Sequence, residues 1–140
     1  MTHEITFSLD TLEQVAHSFL NQFDAPKILL FQGEMGAGKT TFIQQLLRKL
    51  GVEHPEGSPT YSIIEEYHTQ NGTPIYHLDC FRLESEIEAL NIGLYDLLEE
   101  KAWFFIEWPE KIEKLLPNDV IWLYLRVNSD TTKRILSYSL

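Results

Sequence analysis

Gly33-Glu34-Met35-Gly36-Ala37-Gly38-Lys39-Thr40 satisfies the pattern G-x-x-x-x-G-K-[ST] in full, and its flanks decide the fold. The apolar run Ile28-Leu29-Leu30-Phe31 precedes it, and Phe42, Ile43, Leu46, Leu47 and Leu50 follow at helical spacing. A strand, a glycine loop and a helix in that order form a phosphate cradle. The glycines let the backbone curl until several N–H groups face one anion, and the helix N-terminus adds the positive end of its dipole. Residues Gly33, Glu34, Met35, Gly36, Ala37 and Gly38 then wrap the phosphates of a nucleoside triphosphate. Lys39 reaches the β- and γ-phosphates, and the Thr40 hydroxyl is placed to ligate Mg²⁺.

The bulk numbers bound what else the chain can do. At 140 residues and 44% hydrophobic, residues 1–140 read as one domain with a single core, leaving little chain for a separate substrate-binding unit. The net charge of −10 repels a nucleic-acid backbone, so autonomous RNA or DNA binding is not expected. Cys80 is the lone cysteine; it cannot form an intramolecular disulfide and reads as a buried, inert thiol in a reducing cytoplasm. Residues 1–7 lack the basic start and apolar run of a leader, and no apolar run approaches the ~20 residues of a membrane helix. Five histidines without metal-ligand spacing do not support a zinc site.

Outward from the glycine loop, Ile5 and Phe7 predict a short opening strand. Asp10-Thr11-Leu12-Glu13 has capping-box spacing ahead of a helical stripe running from Leu12 to Phe23. Gly51 suits the end of the loop's helix, and residues 52–59 read as a loop. Tyr61 to His68 and Pro74 to Asp79 flank Asn71-Gly72 as a β-hairpin. Leu83 to Glu100 predicts two short helices broken at Asn91-Ile92-Gly93, and Trp103-Phe104-Phe105-Ile106 a buried strand. A short helix over Glu110 to Leu115 and a terminal hairpin of Val120–Val127 with Lys133–Leu140 complete the chain. The predicted class is α/β: a mixed sheet of P-loop NTPase type, parallel at its core, with antiparallel edge hairpins and helices on both faces.

Hydrolysis needs an acid on a neighbouring strand to place Mg²⁺ or water. Glu107 follows four apolar strand residues, and Asp79 ends the strand Tyr76-His77-Leu78. Both are candidates, and spacing alone does not say which contacts the metal. Trp108, between Glu107 and Pro109, offers a π-face to a base or ribose. Thr60, in Ser58-Pro59-Thr60, reads as a switch threonine sensing the γ-phosphate.

Gly33–Thr41, Ser58-Pro59-Thr60-Tyr61, His77-Leu78-Asp79-Cys80-Phe81-Arg82-Leu83 and Glu107-Trp108-Pro109-Glu110 follow one another in an order and spacing that resembles the TsaE (YjeE) family over essentially the whole chain. The resemblance implies a weak ATPase that supports threonylcarbamoylation of adenosine 37 in tRNAs reading A-starting codons. It would act with a TsaB–TsaD complex that controls its turnover. On this chain it implies ATP/ADP and Mg²⁺ as ligands, with Lys39 and Thr41 on phosphates and Thr40 with Glu107 on the metal. Asp79 would orient water or support the metal, Trp108 would pack near the nucleoside, and Thr60 would belong to a switch-like loop. Thr11 and Arg134 would touch the nucleotide. Phe81 stands where the family pattern has tyrosine, which removes one hydroxyl and leaves Asp79 and Arg82 in place.

Three other readings compete. A GTPase wants N-K-x-D for guanine and a D-x-x-G switch, and neither occurs in the sequence. A small P-loop metabolite kinase wants an acceptor pocket and a lid carrying arginines, whereas Arg48, Arg82, Arg126 and Arg134 fall outside any lid-like loop. A nucleotide-gated protein-binding module needs the same site, and differs from the ATPase reading only in whether turnover matters.

Overall fold

The computed structural model describes residues 2–59 and 63–140. Seven strands form one sheet: β1 (Thr2–Ser8), β2 (Ile28–Gln32), β3 (Ile64–His68), β4 (Pro74–Asp79), β5 (Trp103–Glu107), β6 (Val120–Val127) and β7 (Lys133–Ser139). Their spatial order is β1-β7-β6-β2-β5-β4-β3. β2 runs parallel to both β5 and β6, and β4 runs parallel to β5. At the edges β3 pairs antiparallel with β4, β7 with β6, and β1 with β7. The parallel core with antiparallel edges is the predicted class.

Strand alternation explains why the centre is so apolar. Along β2, Leu29 and Phe31 face one side with Phe105, packing on α1 (Leu12–Leu20) and α2 (Lys39–Lys49) through Ala16, Phe19, Phe42 and Ile43. Ile28 and Leu30 face the other side with Phe104 and Ile106. There they meet α3 (Glu86–Asn91), α4 (Leu94–Leu97) and a 3-10 helix (Pro109–Leu115) through Ala89, Leu94 and Ile112. A strand covered on both faces has no polar side, so β2 and β5 read as continuous hydrophobic runs. Each large side chain buried this way contributes roughly 1.5–3 kcal/mol.

Helix ends set where the chain turns. α2 closes in a Schellman motif: Gly51 N–H donates to the Arg48 carbonyl at 3.1 Å and Val52 N–H to the Leu47 carbonyl at 3.0 Å, with Gly51 at φ +104°. Gly93, at φ +79°, separates α3 from α4 as predicted. The predicted capping box at α1 does not form. Thr11 precedes the helix without a side-chain cap; its hydroxyl instead accepts the Ser8 N–H at 3.0 Å and faces the Ser8 carbonyl at 3.3 Å. The box pairs Asp10 as N-cap with Glu13, but the helix starts one residue later, with Thr11 at the N-cap position. Tyr61 and Ser62, at the start of the predicted hairpin, lie outside the described residues.

Gly51 carries a testable consequence. A Cβ there would lie 2.7 Å from Gln70 Cγ on a left-handed backbone. Gly51→Ala is expected to lose about 1–2 kcal/mol in urea denaturation. Gly57→Ala, where a Cβ meets nothing within 4 Å, is expected to stay near the parent.

Candidate functional site

Parallel strands gather their C-terminal ends at one sheet edge, and ligands of open α/β sheets bind in the crevice there. β2 ends into the glycine loop, β5 ends at Glu107, and β4 ends at Asp79 directly beside Glu107 in register. The loop crosses closely under β6: a Cβ on Gly33, at φ +155°, would come within 2.5 Å of the Leu125 carbonyl oxygen. Only glycine fits that passage. Gly38, at φ +99°, then turns the chain into α2, aiming the helix N-terminus at the cleft. The Ala37 N–H donates to the Glu34 carbonyl at 3.0 Å, which tightens the loop.

Lys39 is almost fully buried, and its Nζ donates to the Gly33 carbonyl. The same ammonium lies 3.7 Å from the ring centroid of Trp108. Burial holds the Lys39 pKa below its ordinary value, against opposing attraction from Glu107, Glu110 and Asp79. Trp108 itself, at φ 55°, is the one non-glycine residue with positive φ among the described residues. That conformation costs roughly 1–3 kcal/mol, and it turns the indole over the lysine. Phe81 braces the indole from the other strand end, with ring centroids 5.1 Å apart.

Glu107, 3% exposed, is the hub of the cleft. Its Oε1 accepts from Thr40 Oγ1 at 3.0 Å, while its Oε2 accepts from Ser58 Oγ and His77 Nε2, each at 2.7 Å. Thr40 and Ser58 hydroxyls also touch each other at 2.7 Å. His77 is fully buried, and its Nδ1 has no partner, so the ring's one described hydrogen bond is the one to Glu107. Burial on its own raises the Glu107 pKa, but the hydrogen bonds and charge of His77, with Ser58 and Thr40, outweigh it and leave the carboxyl below its usual range. Asp79 goes the opposite way. Burial raises it, the Phe81 N–H at 3.0 Å opposes, and the neighbouring charge of Glu107 raises it further.

Two acids that spacing left equivalent are therefore distinct in place and in proton affinity. Thr40 Oγ1 and Glu107 Oε1 form a hard-oxygen pair, and Mg²⁺ needs only one or two such protein ligands beside water and phosphate. No group of three or more His, Cys, Asp or Glu that could hold a metal ion by itself occurs among the described residues. The donor set thus fits a cation completed by phosphate oxygens.

The cleft, about 350 Å³, is lined by Met35, Gly36, Ala37, Gly38, Lys39, Thr40 and Thr41 together with Ser58, Asp79, Phe81, Glu107, Trp108 and Arg134. A second, more apolar cavity of about 330 Å³ adjoins it at Gly38, Thr41 and Arg134, and is walled by Phe7, Leu9, Leu12 and Thr132. Arg134 bridges the two, with Nη2 3.4 Å from the Gly36 carbonyl. Trp108 lines the cleft and not this cavity. Thr11 lines neither; its neighbour Ser8 faces the second cavity. Glu34 contributes its carbonyl to the loop, and Thr60 lies outside the described residues. Cys80 is buried with its thiol pushed up to about 12, so it is unreactive as read. Ser58 and His77 were missed as site residues. Their only sequence signal was membership of the S-P-T and H-x-D strings.

The family model described as "Threonylcarbamoyl adenosine biosynthesis protein TsaE" matches residues 6–136. The chain belongs to the TsaE family. It is 34% identical to the Bacillus subtilis tRNA threonylcarbamoyladenosine biosynthesis protein TsaE over 77% of this chain and 66% of that protein. It is 32% identical to the Rickettsia bellii protein of the same name over 88% of this chain and 85% of that one. The match to the Nostoc TsaE, at 44% identity, spans only 44% of that relative's length. The crystal structure of Bacillus subtilis YdiB superposes with a TM-score of 0.74 at 23% identity, covering 99% of this chain and 86% of that one. That likeness shows the shared fold.

A pH test follows from Glu107. A carboxyl held below its unfolded value of 4.5 stabilises the TsaE fold above that pH and loses the contribution as pH falls through the folded value. The stability gap between wild type and Glu107→Gln is expected to narrow as the pH drops below 4.5, read by denaturant midpoints at each pH. A gap independent of pH would contradict the ionised hub.

Proposed function

We propose that this chain is a Mg²⁺-dependent ATPase that supports threonylcarbamoylation of adenosine 37 in tRNAs reading A-starting codons. It turns over slowly alone and works in the cytoplasm with a TsaB–TsaD complex. The carrying observation is one cluster: a glycine loop at the sheet's C-terminal edge with Lys39 inside it, and Thr40 bonded to Glu107. Membership of a family named for threonylcarbamoyladenosine biosynthesis supplies the process. Among the described residues no helix is long and apolar enough to cross a membrane.

The chain's residues divide the work as follows. The loop's N–H groups and the α2 N-terminus hold the phosphates, and Lys39 exchanges the Gly33 carbonyl for phosphate oxygens. Thr40 and Glu107 would hold Mg²⁺, which when bound neutralises phosphate charge. Glu107 stays ionised and keeps its orientation through His77 and Ser58. Asp79, with its raised proton affinity, is suited to orient water, since environments that push two carboxyls apart assign them different roles. The apolar cavity beside Gly38 suits a nucleobase, with Arg134 between base and phosphates. Trp108 then serves the phosphate end. The link from Ser58 to both Thr40 and Glu107 favours a switch component, because nucleotide binding at that pair must register in the loop of residues 52–59.

Lys39→Ala and Glu107→Ala are each expected to lower ATP turnover about 100-fold or more while leaving the fold intact by circular dichroism. Turnover of the wild type is expected to depend on added TsaB–TsaD complex. Wild-type rates in Glu107→Ala, or transfer of phosphate to a small metabolite, would overturn the reading. Trp108 provides a second check. If Lys39 leaves the indole for phosphate, adding ATP must change tryptophan fluorescence in a Trp103→Phe, Trp122→Phe background, and a silent signal would remove that step.

A further inference from the structure

Half of the exposed large hydrophobic residues fall in one short stretch. Of ten in the described chain, Phe81, Ile87, Leu90, Ile92 and Tyr95 lie between residues 81 and 95. Ile87 and Leu90, three apart on α3, are neighbours on one helix face, while Ala89 is fully buried and points to the core. Ile87 leaves 69% and Tyr95 55% of its surface in water. A monomer gains nothing from clustering such side chains, and exposed apolar patches of this kind mark interaction sites.

The rim of the patch says what covers it. Residues 81–100 carry six acids against one arginine, which is half of the chain's net charge of −10. Glu84, Asp96, Glu99 and Glu100, in the same stretch as the apolar residues, are exposed. Such a surface repels nucleic acid and anionic lipid, and a second copy would bring the same acids face to face. It suits a protein with an apolar centre and a lysine- and arginine-rich rim.

The patch is also wired to the cleft. Phe81 lines the cleft and packs on Trp108, two residues after Asp79, and its N–H holds the Asp79 carboxylate. Lys111, from the 3-10 helix that follows Trp108, donates to the Leu83 carbonyl at 3.4 Å. We infer that the α3–α4 face is the docking surface for a basic-rimmed protein partner, and that the Asp79–Phe81 segment joins it to the nucleotide site. The inference rests on the partner-controlled reading above and adds the surface through which control is exerted.

The test measures binding of the full chain to purified TsaB–TsaD complex by calorimetry, at two salt concentrations. Ile87→Asp with Leu90→Asp is expected to weaken binding about tenfold or more, with ATP affinity of the isolated chain unchanged. Val127→Asp, on β6 and about as exposed as Leu90, is expected to bind as wild type. Asp96→Lys with Glu99→Lys is expected to weaken binding and flatten its salt dependence. Wild-type affinity in the Ile87/Leu90 variant overturns the docking surface and leaves the partner reading standing. No binding by the wild type overturns both. Self-association abolished by Ile87→Asp with Leu90→Asp makes a second copy the occupant and overturns the inference.

Discussion

The buried carboxylate of Glu107 is the interaction on which the rest of the site depends. A charge this far from water survives only if its oxygens are paired, because the desolvation penalty otherwise exceeds what packing returns. Thr40, Ser58 and His77 supply that pairing from three different parts of the chain: the start of α2, the loop after it, and the middle of β4. Removing the charge would therefore loosen three elements together. The same hydrogen bonds that stabilise the carboxylate also fix which oxygen faces which neighbour, so stability and site geometry have one origin.

Charge distribution within the cleft follows from that hub. Glu107, bonded on both oxygens, is held below its usual pKa, and its negative charge adds to the burial that raises Asp79 next to it. Burial holds Lys39 below its usual pKa against the pull of Glu107, Glu110 and Asp79, and its Nζ lies against the Gly33 carbonyl and the Trp108 face. On the proposed reading, each contact is one that an incoming triphosphate would replace with a stronger charge-assisted bond.

Local chemistry made much of this legible before any coordinates. The glycine loop, the apolar runs of β2 and β5, the Gly51 and Gly93 breaks and both hairpins rest on interactions within a few residues of each other. Periodicity and turn chemistry report such features directly. What stayed hidden depends on contacts across the fold. Ser58 and His77 are ordinary polar residues until β4 and the loop bring them to Glu107, 49 and 30 residues away. Asp10 and Glu13 had the right spacing for a capping box, but the turn at Ser8 starts the helix one residue later and makes Thr11 the N-cap. Trp108 was readable as an aromatic at the sheet edge, but its left-handed backbone, and hence its place over Lys39, was not.

Strain at Trp108 gives this arrangement a direction. A residue before proline is normally extended, because the proline ring crowds the helical region. Here it is left-handed, and such conformations persist only where the surroundings over-determine them. Lys39 over the ring and Phe81 packed against it are those surroundings. If Lys39 turns to phosphate, one support is withdrawn and the cost falls on Phe81 and the backbone leading to α3. A ligand phosphate that drew Lys39 away would thus act on the acidic, apolar face beyond through a single indole.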